Sequence, residues 1–212
     1  LQQEASRKLG FSAQRTMQAA QKLYEGVDGE GGLITYMRTD GVDVAPEALA
    51  EAREVIKDRF GPAYVPDEPR RYKSKQKNAQ EAHEAIRPTS LARRPESLRL
   101  DDDLRRLYEL IWRRMAACQM EAAKVERTTI ELETADGRTG LRATGQVVTF
   151  DGYLAVYEEG RDDSDDEEGG RLPSVREGAT AKVETARADQ HFTEPPPRYS
   201  EASLVKRMEE LG

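Results

Sequence analysis

One cysteine, two histidines and no phosphate-binding loop set the first limits on what this chain does. Cys118 alone excludes an internal disulfide and fits a reducing, cytoplasmic setting. It continues an apolar helical stripe and reads as a buried, inert thiol. Together with His83 and His191 it leaves too few ligands for a zinc site. No Gly-x-x-x-x-Gly-Lys-Ser/Thr run is present, so nothing points to nucleotide hydrolysis. No apolar run approaches the roughly 20 residues that cross a bilayer, and no signal-peptide pattern opens the chain. No paired acids follow an apolar strand as a magnesium site would require, and the acids at 162–168 are too loosely strung. The residues themselves predict no metal site. The chain opens on Leu1 rather than methionine and stops at Gly212 in what reads as a helix end. Both ends are expected to be cuts within a longer protein.

The 212 residues are enough for one large or two small domains. A net charge of −7 argues against nucleic acid, but the charge is unevenly spread. Residues 1–99 hold 17 Lys/Arg against 15 Asp/Glu, a balance of +2, and residues 100–212 hold 16 against 25, a balance of −9. Six of those acids fall in the stretch from Arg161 to Gly170, which reads as a solvated loop insertion. Basic residues cluster instead in Arg70-Arg71-Tyr72-Lys73-Ser74-Lys75-Gln76-Lys77. Such a cluster can sit on phosphates or form a solvated loop.

The first 120 residues read mostly as helix. Ser12 suits the cap of a helix running to about Tyr24, with Met17, Ala20 and Tyr24 on one face. Pro46 suits a first helical position, and Leu49, Ala52, Ile56 and Phe60 recur at helical spacing before Gly61. Asp101 suits the cap of a longer helix, striped by Leu104, Leu107, Tyr108, Ile111, Met115 and Cys118, with Trp112 in the core at its edge. After about Lys124 the period falls from about 3.6 residues to about 2. Thr128, Ile130 and Leu132 alternate with polar partners, and Asp136-Gly137 marks a tight turn. Further short strands are expected at 139–144, 146–150, 152–157 and 180–186, with Asp151-Gly152 as a second hairpin signal. Several short strands joined by turns suggest a small antiparallel, barrel-like unit. Pro195-Pro196-Pro197 reads as a rigid linker. Ser200 then suits the cap of a last helix with Leu204, Met208 and Leu211 on one face. No internal repeat is visible.

The run Gly32-Leu33-Ile34-Thr35-Tyr36-Met37-Arg38-Thr39-Asp40 is the candidate for chemistry. It enters from glycines, extends briefly and then places polar groups in quick succession. Taken alone, Tyr36 is as readily a core or surface residue, and Arg38 with Asp40 as readily a surface ion pair.

The wider pattern resembles the type IA DNA topoisomerase family of bacteria. Gln21-Lys22-Leu23-Tyr24-Glu25 precedes the run, and Gln80-Glu81-Ala82-His83-Glu84-Ala85-Ile86-Arg87-Pro88 follows about forty-five residues later. His191-Phe192-Thr193 and Tyr199-Ser200-Glu201-Ala202-Ser203-Leu204-Val205 extend the resemblance over essentially the whole chain. It implies that Tyr36 attacks a backbone phosphate of single-stranded DNA, forming a 5′-phosphotyrosyl bond and freeing a 3′-hydroxyl. The other strand passes through the gap and the hydroxyl reverses the attack. Ester exchange conserves the energy of the broken bond, so relaxation of negatively supercoiled DNA needs no ATP. An ordinary phenol has a pKa near 10, so at about pH 7 only about one in a thousand is ionised, roughly 4 kcal/mol short of full phenolate. Nearby positive charge must narrow that gap. Arg38 is the natural source, because a planar guanidinium holds two phosphate oxygens at once.

Other positions carry over from the family's motifs. Thr35, Thr39 and Asp40 match the active-site strip as supports for Tyr36 and Arg38. Gln21 and Glu25 match polar positions on the preceding helix, or are simply its exposed face. His83 matches a histidine that approaches DNA near the scissile phosphate. Arg87 beside Pro88 either contacts phosphate or holds a loop together. Gly41 stands where many relatives have serine, and Val27–Gly32 is longer than in the shortest versions. Both read as loop variation.

The family's architecture implies a multi-domain α+β fragment. Residues 1–120 would be the helical domain bearing the tyrosine, 121–195 part of a small antiparallel β-barrel-like arch, and 196–212 the start of the next helical domain. The family binds magnesium on an N-terminal Toprim domain, which this chain does not contain. Alone, the fragment is therefore expected to bind single-stranded DNA weakly and not to relax supercoils. Two other readings stand beside this one. A helix-turn-helix module would bind DNA without catalysis. A tyrosine recombinase also makes phosphotyrosyl bonds, but it needs two separated arginines and a histidine around a helix-borne tyrosine.

Overall fold

A computed structural model describes residues 1–27, 29, 31–72, 84–159, 172–193 and 195–211. It is a mixed α/β structure with, among the described residues, five α-helices and one two-stranded antiparallel sheet. The chain divides into two compact units. The first comprises Leu1–Ala122, Asp151–Asp163 and Tyr199–Gly212, and the second Ala123–Phe150 and Ser164–Arg198.

The first unit is built around α4 (Asp102–Cys118), whose apolar stripe is the core. Leu104, Leu107, Tyr108, Ile111, Trp112 and Met115 are all buried, each contributing about 1.5–3 kcal/mol by leaving water. The two polar tips in that stripe find backbone acceptors: Tyr108 Oη donates to Arg93 O at 2.7 Å and Trp112 Nε1 to Leu91 O at 2.8 Å. Burial pushes the Tyr108 phenol far above its ordinary range. Cys118 at the end of the helix is partly buried, and burial likewise pushes its thiol up. Asp101 occupies the cap position, but its carboxylate makes no cap hydrogen bond. Asp102 and Asp103 in the first turn complement the helix dipole instead.

Around α4 pack α1 (Gln2–Leu9), α2 (Ala13–Glu25) and α3 (Pro46–Phe60). Ser12 caps α2 by accepting from Arg15 N at 3.2 Å, and Thr16, Ala19, Ala20 and Leu23 form its buried face. Arg15 reaches Asp103 through two hydrogen bonds of 2.7 Å, and these hold that carboxyl below the usual range. Pro46 opens α3. The Glu51 carboxylate on α3 accepts from Ser90 Oγ at 2.6 Å and Leu91 N at 2.9 Å, fixing the loop that covers Trp112. Helix α5 (Glu201–Leu211) lies against α1, buries Ala202, and offers Glu201 to Ala13 N at the start of α2. The stripe Leu204, Met208 and Leu211 is exposed.

The segment after Phe150 is not a strand. Gly152 takes φ 49°, and the residues that follow form a short 3-10 turn, Gly152–Ala155. Tyr153 N donates to Glu121 O at 3.0 Å, and a Cβ on Gly152 would sit 2.5 Å from that same oxygen. Asp151 accepts from Tyr64 Oη at 2.7 Å, and Tyr157 is buried. The expected hairpin at Asp151-Gly152 is thus replaced by a turn that docks onto the helical core.

In the second unit, β1 (Lys124–Glu133) pairs with β2 (Gly140–Phe150), with Ile130 opposite Ala143 and Leu132 opposite Leu141. The register shifts between Lys124 and Val125. Strand β2 is continuous where two short strands were expected. The 134–139 turn closes through Thr134, which bonds Thr139 and Asp136. Residues 180–186 alternate like a strand but pair with none among the described residues, and Val183 is 71% exposed. An alternating sequence needs a partner edge to become a strand. The described sheet is accordingly an open ribbon, not a closed barrel.

Candidate active site

The strip from Gly32 to Asp40 crosses the C-terminal end of α2. Leu33 N donates to Leu23 O at 2.7 Å, and Gly32 passes so close that a Cβ there would lie 2.4 Å from the Tyr24 carbonyl oxygen. Only glycine fits that crossing. On its other side the strip is held by residues 84–89. Ile34 bridges Pro88, Thr35 N donates to Arg87 O at 2.9 Å, and Thr89 N donates to Leu33 O at 2.9 Å. Thr35 Oγ1 donates to Ala85 O at 2.7 Å and accepts from Arg87 N at 2.9 Å. Thr39 Oγ1 accepts from Gly41 N at 2.9 Å.

Leu33, Ile34 and Met37 are buried, whereas Tyr36, Arg38 and Asp40 are exposed, Tyr36 by 40%. Arg38 and Asp40 form no ion pair with each other or with any other described residue. The Tyr36 ring meets the Tyr24 ring edge-on, with centroids 5.2 Å apart and planes at 61°. On the same helix Gln21 Nε2 donates to Glu25 Oε1 at 2.5 Å. Arg87 is bonded to none of these side chains. Its guanidinium pairs with Glu84 at 2.7 Å and donates to Pro88 O at 2.9 Å, and the side chain is only 12% exposed. Glu84 also accepts from Ala45 N at 2.8 Å, so one carboxylate ties the strap of residues 84–89 to the start of α3.

His83 and the basic cluster from Lys73 to Lys77 lie outside the described residues. Arg70 from that cluster is committed to the end of α4, through Met120 O at 2.8 Å and Glu121 at 3.3 Å. Among the described residues no three His, Cys, Asp or Glu side chains converge as metal ligands. Glu84, Gly32 and Tyr24 are parts of the site that sequence reading did not single out. Tyr24 and Glu84 lie inside motifs quoted for the family resemblance, and Gly32 is lodged between an apolar run and a helix end, but nothing in the sequence marked their contacts.

The strip thus exposes a tyrosine and an arginine that has no partner among the described residues. The chain as a whole is similar to a solved topoisomerase. The full-length topoisomerase I of Thermotoga maritima matches with a TM-score of 0.81 and 40% identity, over 100% of this chain and 33% of that one. A family model described as DNA topoisomerase matches residues 1–212, and the chain belongs to that family. It is 56% identical to DNA topoisomerase 1 of Zymomonas mobilis and 54% identical to that of Rickettsia conorii, in both cases along its whole length. The chain spans 17% and 28% of the length of those two relatives.

Proposed function

We propose that this chain is the tyrosine-bearing part of a type IA DNA topoisomerase, with Tyr36 as the nucleophile. The observation that carries this is the exposure of Tyr36 and Arg38 on a strip whose apolar residues are buried and whose backbone is held on both sides. The Tyr36 oxygen attacks a backbone phosphorus of single-stranded DNA. A tyrosyl–phosphorus bond forms at the 5′ end, the bond to the 3′ oxygen breaks, and that oxygen takes up a proton as the 3′-hydroxyl. After strand passage the hydroxyl attacks the phosphotyrosine and restores both. Arg38 neutralises charge on the phosphoryl oxygens, a role that suits a guanidinium with no other described partner.

Thr35 and Thr39 hold the strip, Asp40 stays beside Arg38 in the motif without pairing with it, and Gln21 bonded to Glu25 lies on the preceding helix. Arg87 supports the reading better as the clamp of the strap than as a DNA contact, because its guanidinium is already engaged. His83 keeps its assignment as a DNA contact on the motif alone. In this reading magnesium belongs to the Toprim domain, as the family resemblance implies. The ribbon is taken as one piece of a β-rich arch, the fragment alone does not relax supercoils, and the full protein works in the cytoplasm. No helix among the described residues is long and apolar enough to cross a membrane. A helix-turn-helix role is less well supported: α2 spends Thr16, Ala19, Ala20 and Leu23 on the core, and Asp103 holds its Arg15.

The test is to trap the full-length protein on a single-stranded oligonucleotide with SDS and map the adduct by mass spectrometry. The nucleotide is expected on Tyr36, and Tyr36→Phe is expected to form none. An adduct on Tyr24 or Tyr64 overturns the assignment. Relaxation of negatively supercoiled plasmid by the isolated 212-residue chain overturns its predicted inactivity.

A further inference from the structure

We infer that Tyr24 is a positioning residue for Tyr36, its ring setting the direction of the phenol before DNA arrives. The inference rests on the reading of Tyr36 as nucleophile. The Tyr36 hydroxyl has no hydrogen-bond partner among the described residues, and its side chain is 40% exposed. Its backbone is pinned through Leu33, Ile34 and Thr35, but a pinned backbone still leaves the side chain several staggered orientations. Among the described residues the aromatic ring it meets is that of Tyr24, at 5.2 Å and 61°, the edge-on arrangement that aromatic pairs prefer.

That contact is built into the backbone. Tyr24 stands in the last turn of α2, where Leu23 O accepts from Leu33 N. Gly32 lies against the Tyr24 carbonyl itself. The crossing that clamps the strip to the helix therefore also brings the two rings together. Tyr24 is 42% exposed, so it is not a core residue that happens to touch the strip. A nucleophile must wait close to its target in a near-attack orientation, with reacting atoms about 3–3.5 Å apart. A neighbouring ring that narrows the phenol's orientations removes part of that entropic cost.

Edge-on aromatic pairs contribute about 0.5–1.5 kcal/mol, and a tenfold rate change corresponds to about 1.36 kcal/mol. Tyr24→Ala in the full-length protein is therefore expected to slow single-turnover cleavage at saturating oligonucleotide by roughly two- to thirteenfold. The Kd for the same oligonucleotide should stay within about twofold, because the contact sets orientation and not affinity. Tyr24→Phe keeps the ring and should restore the cleavage rate. Tyr24→Leu fills the space without a ring and should be slow; it serves if Tyr24→Ala lowers the melting temperature.

Three results overturn the inference. Tyr24→Ala and Tyr24→Leu could cleave at the unmodified rate, Tyr24→Phe could be as slow as Tyr24→Ala, or the loss could fall wholly in Kd. The parallel Tyr36→Phe variant separates the two readings. If that variant still forms an adduct, the nucleophile assignment has failed. If it forms none and Tyr24→Ala is unimpaired, positioning alone has failed.

Discussion

Replacing Gly32 with alanine puts a methyl group 2.4 Å from the backbone oxygen of Tyr24, where ordinary contact begins near 3.4 Å. The strip and the end of α2 must then part by about 1 Å. If the displacement falls on the Leu33 N to Leu23 O hydrogen bond, now 2.7 Å, it stretches that bond past its useful range. Overpacking of this kind costs about 1–3 kcal/mol, and the lost bond adds roughly 1 kcal/mol. Alanine recovers about 0.4–1 kcal/mol by restricting the unfolded chain. The net destabilisation is about 1–3.6 kcal/mol, a fall in melting temperature of roughly 2–14 °C at this chain length. Gly31 is the internal control, since a Cβ there meets nothing within 4 Å. Gly31→Ala should leave the melting temperature unchanged or raise it slightly. Scanning calorimetry of both variants decides the matter. The reasoning fails if Gly32→Ala melts together with Gly31→Ala, at or above the unmodified protein.

Thr35→Val keeps the shape but strips the partners from Ala85 O and Arg87 N, so urea unfolding should show a loss of about 1–3 kcal/mol that Thr35→Ser does not show. Equal midpoints for the two variants would mean that the hydroxyl contributes nothing. The Asp103 carboxyl is held below its unfolded pKa by the Arg15 hydrogen bonds, so its stabilisation is present above about pH 4 and is lost as pH falls through the folded value. Asp103→Asn should therefore melt below the unmodified protein at neutral pH, with the gap closing in acid; a gap that stays constant with pH removes the pairing argument.

What the sequence made legible was local. Pro46 and Gly61 bracket α3, Ser12 caps α2, and the stripe from Leu104 to Met115 is the core of α4, because spacing and end residues are properties of the segment itself. Leu204, Met208 and Leu211 show where that stops. Their spacing correctly says that they share a face, but not whether anything described covers it. Residues 180–186 fail in the same way, having a strand's alternation and no partner edge among the described residues. In the site, Leu33, Ile34 and Met37 stand out as apolar residues of the run, but the run alone left Tyr36 as readily core as surface. The rest depends on distant pairs. Thr35 meets Ala85 and Arg87 about fifty positions away, and Tyr24 meets Tyr36 only because a backbone crossing at Gly32 brings a helix end against the strip.

The turn at Gly152 has a bearing on how the family can vary. The chain leaves the helical unit after Ala122 and comes back at Asp151. Tyr153 and Asp151 fasten that return to Glu121 and Tyr64. Thermodynamically the ribbon is a loop knotted shut at its neck, and the entropy of closing such a loop grows only logarithmically with its length. Doubling the excursion would cost about 0.6 kcal/mol. Insertions and deletions in the hairpin are therefore nearly neutral for the tyrosine strip, whereas a side chain at the neck, on Gly152, would open it.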